Sequence, residues 1–414
     1  MNAKTAVPRI AVTLALCFCA AVLEGYDVQA FGIAAPKLVA ALGLDPARQG
    51  WAASTAMVGL VLGAFLGGRM ADIVGRKPVL LASVALFGLC SIWTGLSAGF
   101  ASLLLARLAT GIGFGGAFPV LIAVAAEVSS PSRRGATTSA LFSGMPAGGA
   151  LVSALAGAAG GHMDWRMIFI LGGAMPLALL PLLWLFLPET RPETRPGRDE
   201  NASAALLAAL FAQGRALATV LLAGASLLIL VLLYMVLNWL PSLVVAKGYL
   251  ASDGAQAAFA FNIAAVGGTV LLGFVMDIAG ARRTLGVSYL ALFASVYLLG
   301  AAGSAGAAIA FSAVTGFFTV GISCALYGLA PSYYPPLLRA AACGAIVGIG
   351  RIGTIAGPLL AGQLRQQGWS AEHVIDAMLP LIFVGGVAAL LLPRAREREA
   401  GLKRAYSSRP GQAG

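Results

Sequence analysis

Charge is scarce in this chain. Only 10% of its 414 residues are Asp, Glu, Lys or Arg, against about 25% in soluble domains. With 59% hydrophobic residues and a mean hydropathy of +0.89, no water-soluble fold of this length could hide its apolar surface, so lipid must be part of the solvent. Histidine is almost missing, with His162 and His373 alone. The five cysteines (Cys17, Cys19, Cys90, Cys324, Cys343) all fall in apolar runs, with no CxxC or Cys/His spacing. Disulfides, a metal and a bound cofactor are therefore not expected. No Ser/His/Asp or Cys/His constellation points to an enzyme.

Acidic residues are outnumbered, 16 against 27 basic ones, for a net charge of +11. Membrane topology explains this excess without a nucleic-acid partner. Apolar runs lie near 10–36, 51–70, 79–98, 100–126, 136–159, 167–187, 216–245, 256–279, 284–302, 305–333, 340–364 and 373–393. Each approaches or exceeds the roughly 20 residues of a helical span. With the N-terminus inside, 20 of the 27 Lys and Arg fall in cytoplasmic segments and five, Lys37, Arg48, Arg166, Lys247 and Arg365, on the other side. This asymmetry follows the positive-inside rule and places both termini in the cytoplasm. The first run is too long for a signal-peptide core and is read as a retained helix.

What charge there is sits in telling places. Glu24 and Asp27 lie within the first run, and Arg107 and Arg351 at similar depth in later ones. A charge there costs about 2.5–3.5 kcal/mol on insertion scales and usually faces an internal cavity. Glu24 and Asp27 are three residues apart and share a helix face. Arg351 is far from either interface and needs an anionic partner, either of these carboxylates or a bound one. Arg107 is read as buried for function, the alternative being that it snorkels to the outer surface. Tyr26, Tyr234, Asn238, Trp239 and Tyr327 lie at comparable depth and complete a candidate pocket, although each would also suit helix packing or an interface belt.

The longest polar stretch, 188–215, opens Pro-Glu-Thr-Arg-Pro-Glu-Thr-Arg-Pro and reads as a hydrated linker. It separates an N-terminal bundle, 1–187, from a C-terminal one, 216–393, with a basic tail over 394–414. The halves repeat at a constant shift of 205 residues: Gly68, Asp72 and Gly75 onto Gly273, Asp277 and Gly280; Pro131 and Arg134 onto Pro336 and Arg339; Gly148 and Gly157 onto Gly353 and Gly362. The expected fold is all-α, with twelve transmembrane helices in two pseudo-symmetric six-helix bundles and a substrate site between them.

The loop Gly68-x3-Asp72-x2-Gly75-Arg76-Lys77 resembles the signature loop of the major facilitator superfamily. Asp72, Arg76, Glu127, Arg134 and Asp277 are the candidate gating charges around it and its repeat. Arg107-x3-Gly111-x-Gly113-x-Gly115 resembles that superfamily's helix-4 motif, whose arginine is implicated in proton coupling. Gly144-x-Pro146-x-Gly148-Gly149 resembles a motif associated with antiporters. Together with EGYDVQAFGIAAPKL, GRMADIVGRKP, ARLATGIGFGGAFP and NWLPSLV, these segments make the chain similar to the superfamily's aromatic acid:proton symporters. EGYDVQA, YMVLNWLP and CALYGLAP look most like the 3-(3-hydroxyphenyl)propionate transporters, and Glu24 stands where hydroxybenzoate carriers typically have Asp. The resemblance implies a monomeric symporter in a bacterial inner membrane, carrying an aromatic carboxylate with protons. Asp27, Glu24 and Arg107 would couple the protons, and Arg351, Tyr26, Tyr234, Asn238, Trp239 and Tyr327 would bind the substrate. The rival of the same fold is a proton-driven exporter of drugs or organic anions.

Overall fold

All twelve apolar runs become helices in the computed structural model, which describes residues 3–130, 134–160, 162–189, 210–212, 214–334 and 339–393. The basic tail, most of the 188–215 linker and the Pro131/Pro336 pair lie outside the described residues. The helices are α1 (Ala3–Leu42), α2 (Pro46–Val74), α3 (Arg76–Gly95), α4 (Phe100–Val128), α5 (Arg134–Ala158), α6 (Trp165–Phe186), α7 (Ala216–Ala246), α8 (Ala251–Ala279), α9 (Ala281–Gly300), α10 (Ala305–Leu329), α11 (Arg339–Gln366), α12 (Ala371–Asp376) and α13 (Leu379–Leu390). The last two form one broken span, giving twelve long apolar stretches among the described residues.

Two of the differences from the sequence pattern lie at prolines. The first run was expected to end at Pro36, yet α1 continues to Leu42. Pro36 removes a single helical hydrogen bond, while the turns beyond it are held by fully buried Leu38 and by Lys37, whose Nζ donates to the Met163 carbonyl at 2.7 Å. The last run was expected to be continuous but breaks after Asp376. Pro380 cannot donate to the Asp376 carbonyl four residues back and its ring clashes there, so the helix stops and restarts.

The 205-residue repeat recurs in the helix crossings. At Gly148 of α5, the place of a Cβ is filled by the Val22 carbonyl of α1; at Gly353 of α11, by the Leu227 carbonyl of α7. Gly63 of α2 meets the Ile112 carbonyl of α4, and Gly268 of α8 meets the Phe317 carbonyl of α10. Gly111 meets the Ala56 carbonyl, and Gly316 that of Phe261. Every member is 205 residues from its counterpart. Backbone packed on backbone at small residues is how helices associate without a hydrophobic drive between them. The turns repeat as well. Gly75 (φ 114°) and Gly280 (φ 84°) join α2 to α3 and α8 to α9 in a backbone region where a side chain is strained.

The halves meet at the end of the molecule away from the chain termini. There Gly50 of α2 lies against α11, its Cβ position 2.9 Å from the Pro358 carbonyl and 3.2 Å from the Gly362 Cα. Ser54 Oγ donates to the Ile355 carbonyl (2.7 Å), and Gln49 Nε2 to Ser242 Oγ (3.2 Å). Toward the termini the same two helices part: at Gly68 of α2 and at Gly344 and Gly348 of α11, no described atom lies within 4 Å of where a Cβ would sit. Gly68 of the motif loop therefore makes no close helix crossing with another described element in this conformation.

Candidate functional site

A cavity lies between the halves, walled by residues of α1, α4, α5, α7, α8, α10 and α11. Its surface is mostly apolar and aromatic: Phe118, Phe142, Phe261, Tyr234 and Tyr327 contribute rings. Gln29, Asn262, Ser323 and Cys324 add polar atoms, and Arg351 is the sole charged residue among the described residues of the wall. No hydrogen bond or ion pair joins the Arg351 guanidinium to another described residue; it interacts electrostatically with the carboxylate of Glu24, which is 1% exposed and outside the cavity lining.

Three of the six candidate substrate residues, Arg351, Tyr234 and Tyr327, line this cavity, and three do not. Tyr26 is fully buried inside the N-terminal bundle, where its hydroxyl donates to the Ile168 carbonyl of α6 at 3.1 Å. Trp239 packs between α7 and α11, its indole N–H donating to the Pro358 carbonyl at 3.1 Å. Asn238 turns its amide back along its own helix to the Tyr234 carbonyl (2.8 Å). The helix rotates about 100° per residue, which carries these neighbours of cavity-facing positions away from the cavity in this conformation.

The two acids of α1 face different partners. Asp27 points into the N-terminal bundle: Ser91 of α3 donates to its Oδ1 at 2.5 Å, and Arg107 Nη1 of α4 lies 3.9 Å from its Oδ2. Both members are 0% exposed. The Arg107 guanidinium also lies over the rings of Phe31 (5.2 Å) and Phe169 (6.0 Å), a cation–π setting that partly replaces lost water. Snorkelling to the outer surface is therefore not its arrangement. Asp27 Oδ2, Glu24 Oε2 and all three Arg107 nitrogens have no hydrogen-bond partner among the described residues. Buried charge so lightly compensated is unusual.

A twelve-span bundle with an internal repeat, a central cavity and buried charge pairs has the architecture of a carrier. The family model described as Major Facilitator Superfamily matches residues 17–276 and 250–410. The chain belongs to the Major Facilitator Superfamily. Among similar proteins, the 3-(3-hydroxy-phenyl)propionate transporter of Escherichia coli is 40% identical, over 94% of this chain and 96% of that protein. The gallate transporter of Pseudomonas putida is 31% identical over 93% and 92%. Among solved structures, a D-xylose–proton symporter superposes with a TM-score of 0.72 at 19% identity, covering 94% of this chain and 99% of that one. The protein is a multi-pass membrane transporter and not an enzyme.

The candidate gating charges of the transporter are only partly joined. Arg76 pairs with Glu127 of α4 through its guanidinium, and its backbone N–H donates to Glu189 Oε1 at 2.9 Å. Glu189 was not singled out from the sequence; it belongs to the first residues after α6 and clamps the α2–α3 turn. Asp72 and Asp277 are exposed, with no ion pair to another described residue. Arg134 opens α5, and its side chain lies outside the described residues. Ser91, Gln29 and Asn262 were also missed. The two amides carried a signal, since Asn262 is an isolated polar residue deep in an apolar run and Gln29 follows the acidic pair of α1 at similar depth; a serine such as Ser91 carries none.

Proposed function

We propose that the transporter imports an aromatic carboxylate, such as 3-(3-hydroxyphenyl)propionate, together with protons. It would act as a monomer in a bacterial inner membrane, with both termini cytoplasmic. The observation that carries this reading is the cavity wall, whose described residues offer aromatic rings and one guanidinium but no carboxylate. Such a wall suits a ring-bearing anion and disfavours cationic drugs. The 40% identity to a hydroxyphenylpropionate transporter over nearly the whole chain points the same way. The cavity lies within one chain, which supports a monomer. With the Lys/Arg-rich end in the cytoplasm, the halves are parted on the cytoplasmic side and the conformation is inward-facing.

The charge pairs supply the coupling. A proton on Glu24 removes the anion opposite Arg351, whose planar fork then takes the substrate carboxylate through two parallel hydrogen bonds. A second proton site at Asp27 loosens its pair with Arg107, leaving the guanidinium held by the Phe31 and Phe169 rings. At the cavity, a neutral Glu24 and an Arg351 paired with the substrate carboxylate let the bundles rock, whereas an unpaired guanidinium there opposes the step. One proton per monoanion would be electroneutral. Two would draw a further ~2.3 kcal/mol per 100 mV from the membrane potential.

Proteoliposome uptake with a panel of phenylpropionates, benzoates, cinnamates and cationic drugs tests this. Accumulation of 3-(3-hydroxyphenyl)propionate under an inward acid gradient, collapsed by a protonophore, is the expected result. Drug extrusion without carboxylate uptake would refute it.

A further inference from the structure

The mechanism above leaves unused a polar pair that bridges the two halves. Gln29 of α1 and Asn262 of α8 exchange amide hydrogen bonds in both directions. Gln29 Nε2 donates to Asn262 Oδ1 at 3.0 Å, and Asn262 Nδ2 donates to Gln29 Oε1 at 2.7 Å. The two residues are 6% and 1% exposed. Together with Leu237 and Phe261, the pair forms a septum. These four residues line both the central cavity on one side and, on the other, a second, smaller void that also touches Ile33, Val236, Leu240 and Ala258. By helix rise, Asn262 lies about 16 Å from the start of α8 at the end where the halves are closed. The small void therefore lies on the path from that closed end to the cavity.

Two neighbours hold the pair in place. Asn262 Nδ2 also donates to the Ala258 carbonyl at 2.8 Å, which fixes its rotamer. Gly149 of α5 provides the room for Gln29, because a Cβ there would collide with the Gln29 amide. The side chain thus reaches toward α8 through a space that only glycine leaves open.

We propose that the Gln29–Asn262 amide clasp is the inner leaf of the outside gate. It seals the substrate cavity from the side away from the termini while the other side is open, and it must part for substrate to enter. Its members belong to different bundles, so the rocking that opens the closed end pulls them apart. Two reciprocal hydrogen bonds, each of modest net worth, bias the equilibrium toward the closed-outside state by roughly tenfold or more.

Cys324 lines the cavity and is a built-in reporter. The test uses the full-length transporter with Cys324 as its only cysteine, in right-side-out membrane vesicles without substrate, labelled from outside by a membrane-impermeant sulfonated methanethiosulfonate. Gln29→Ala and Asn262→Ala are each expected to speed labelling about tenfold over the parent. Gly149→Ala, which displaces the Gln29 amide, should do the same. The exchange Gln29→Asn with Asn262→Gln keeps an amide on each helix and should restore slow labelling. Labelling from the inside, in inverted vesicles, confirms that each variant is folded and able to open. Outside rates equal to the parent in Gln29→Ala and Asn262→Ala, with inside labelling intact, would overturn the proposal. No substrate is present, so this result stands apart from the question of which acid is carried.

Discussion

At the scale of single residues, Asp27 and Arg107 set the sharpest test, because stability and transport should separate there. Both are wholly buried and 3.9 Å apart. Removing one member of such a pair strands the other charge, at a cost of about 3–5 kcal/mol. Asp27→Asn should therefore abolish accumulation and lower the thermal midpoint of the detergent-solubilised protein. The double replacement Asp27→Leu with Arg107→Leu removes both charges, and Ser91 keeps its bond to the Phe169 carbonyl at 3.0 Å. Its midpoint should return close to the wild-type value while accumulation stays absent. A double variant that still accumulates substrate against a gradient would remove this pair from the coupling path. The sequence placed all four midplane charges at a common depth, because hydropathy reports depth. It could not say that Glu24 faces Arg351 while Asp27 faces Arg107. That assignment depends on which helices flank α1, and three residues of helix leave the two side chains at different neighbours.

At the scale of elements, the repeat was legible because glycine positions recur at a fixed shift, and glycine is what a close crossing demands. The crossings α1–α5 and α7–α11 use Gly148 and Gly353 against equivalent carbonyls. The symmetry is sometimes kept by trading partners. Gly25 of α1 makes room for the backbone at Met145, whereas at the equivalent crossing Leu230 of α7 packs on Gly350 of α11. A pattern search for matching glycines misses such an exchange, since the small residue has changed helix. Gly157 departs further: nothing approaches its Cβ position, while its counterpart Gly362 meets Gly50 of the other half. These distinctions set an expected order of tolerance. Gly148→Ala forces α1 and α5 apart and should cost about 1–3 kcal/mol, seen as a lower thermal midpoint. Gly224→Ala, in α7 with no neighbour within 4 Å, should be neutral or raise the midpoint slightly through helix propensity. Equal midpoints for the two variants would mean that the α1–α5 crossing is not a backbone contact. The break before Pro380 was equally available in the sequence, yet a run of uniform hydropathy hid it.

At the scale of the whole molecule, the scaffold is symmetric and its chemistry is not. The 205-residue shift carries Asp27 onto Leu232 and Arg107 onto Ser312, while Arg351 is the image of Pro146. The buried acid–base pair therefore belongs to one bundle and the cavity cation to the other, so proton and anion can be exchanged between halves that move as units. Such movement requires that each end of the molecule open and close. At the closed end the contact between α2 and α11 is glycine on glycine, Gly50 against Gly362, with the Pro358 carbonyl alongside. Backbone lies on both sides of that contact, so it cannot yield as a flexible side chain would. A valine at position 50 would act as a wedge that leaves each bundle's own packing untouched and blocks only their approach. Gly50→Val should fold, hold the closed end apart and cut uptake at least tenfold, because the closed-outside half of the cycle is lost. Double electron–electron resonance between spin labels at exposed Arg48 and Gln366 would read the wedge as a longer mean distance than in the parent. An unchanged distance with uptake intact would show that closure of α2 on α11 is not a required step. A longer distance with uptake intact would show that the cavity can be sealed elsewhere, at the deeper clasp of Gln29 and Asn262, without the α2–α11 contact.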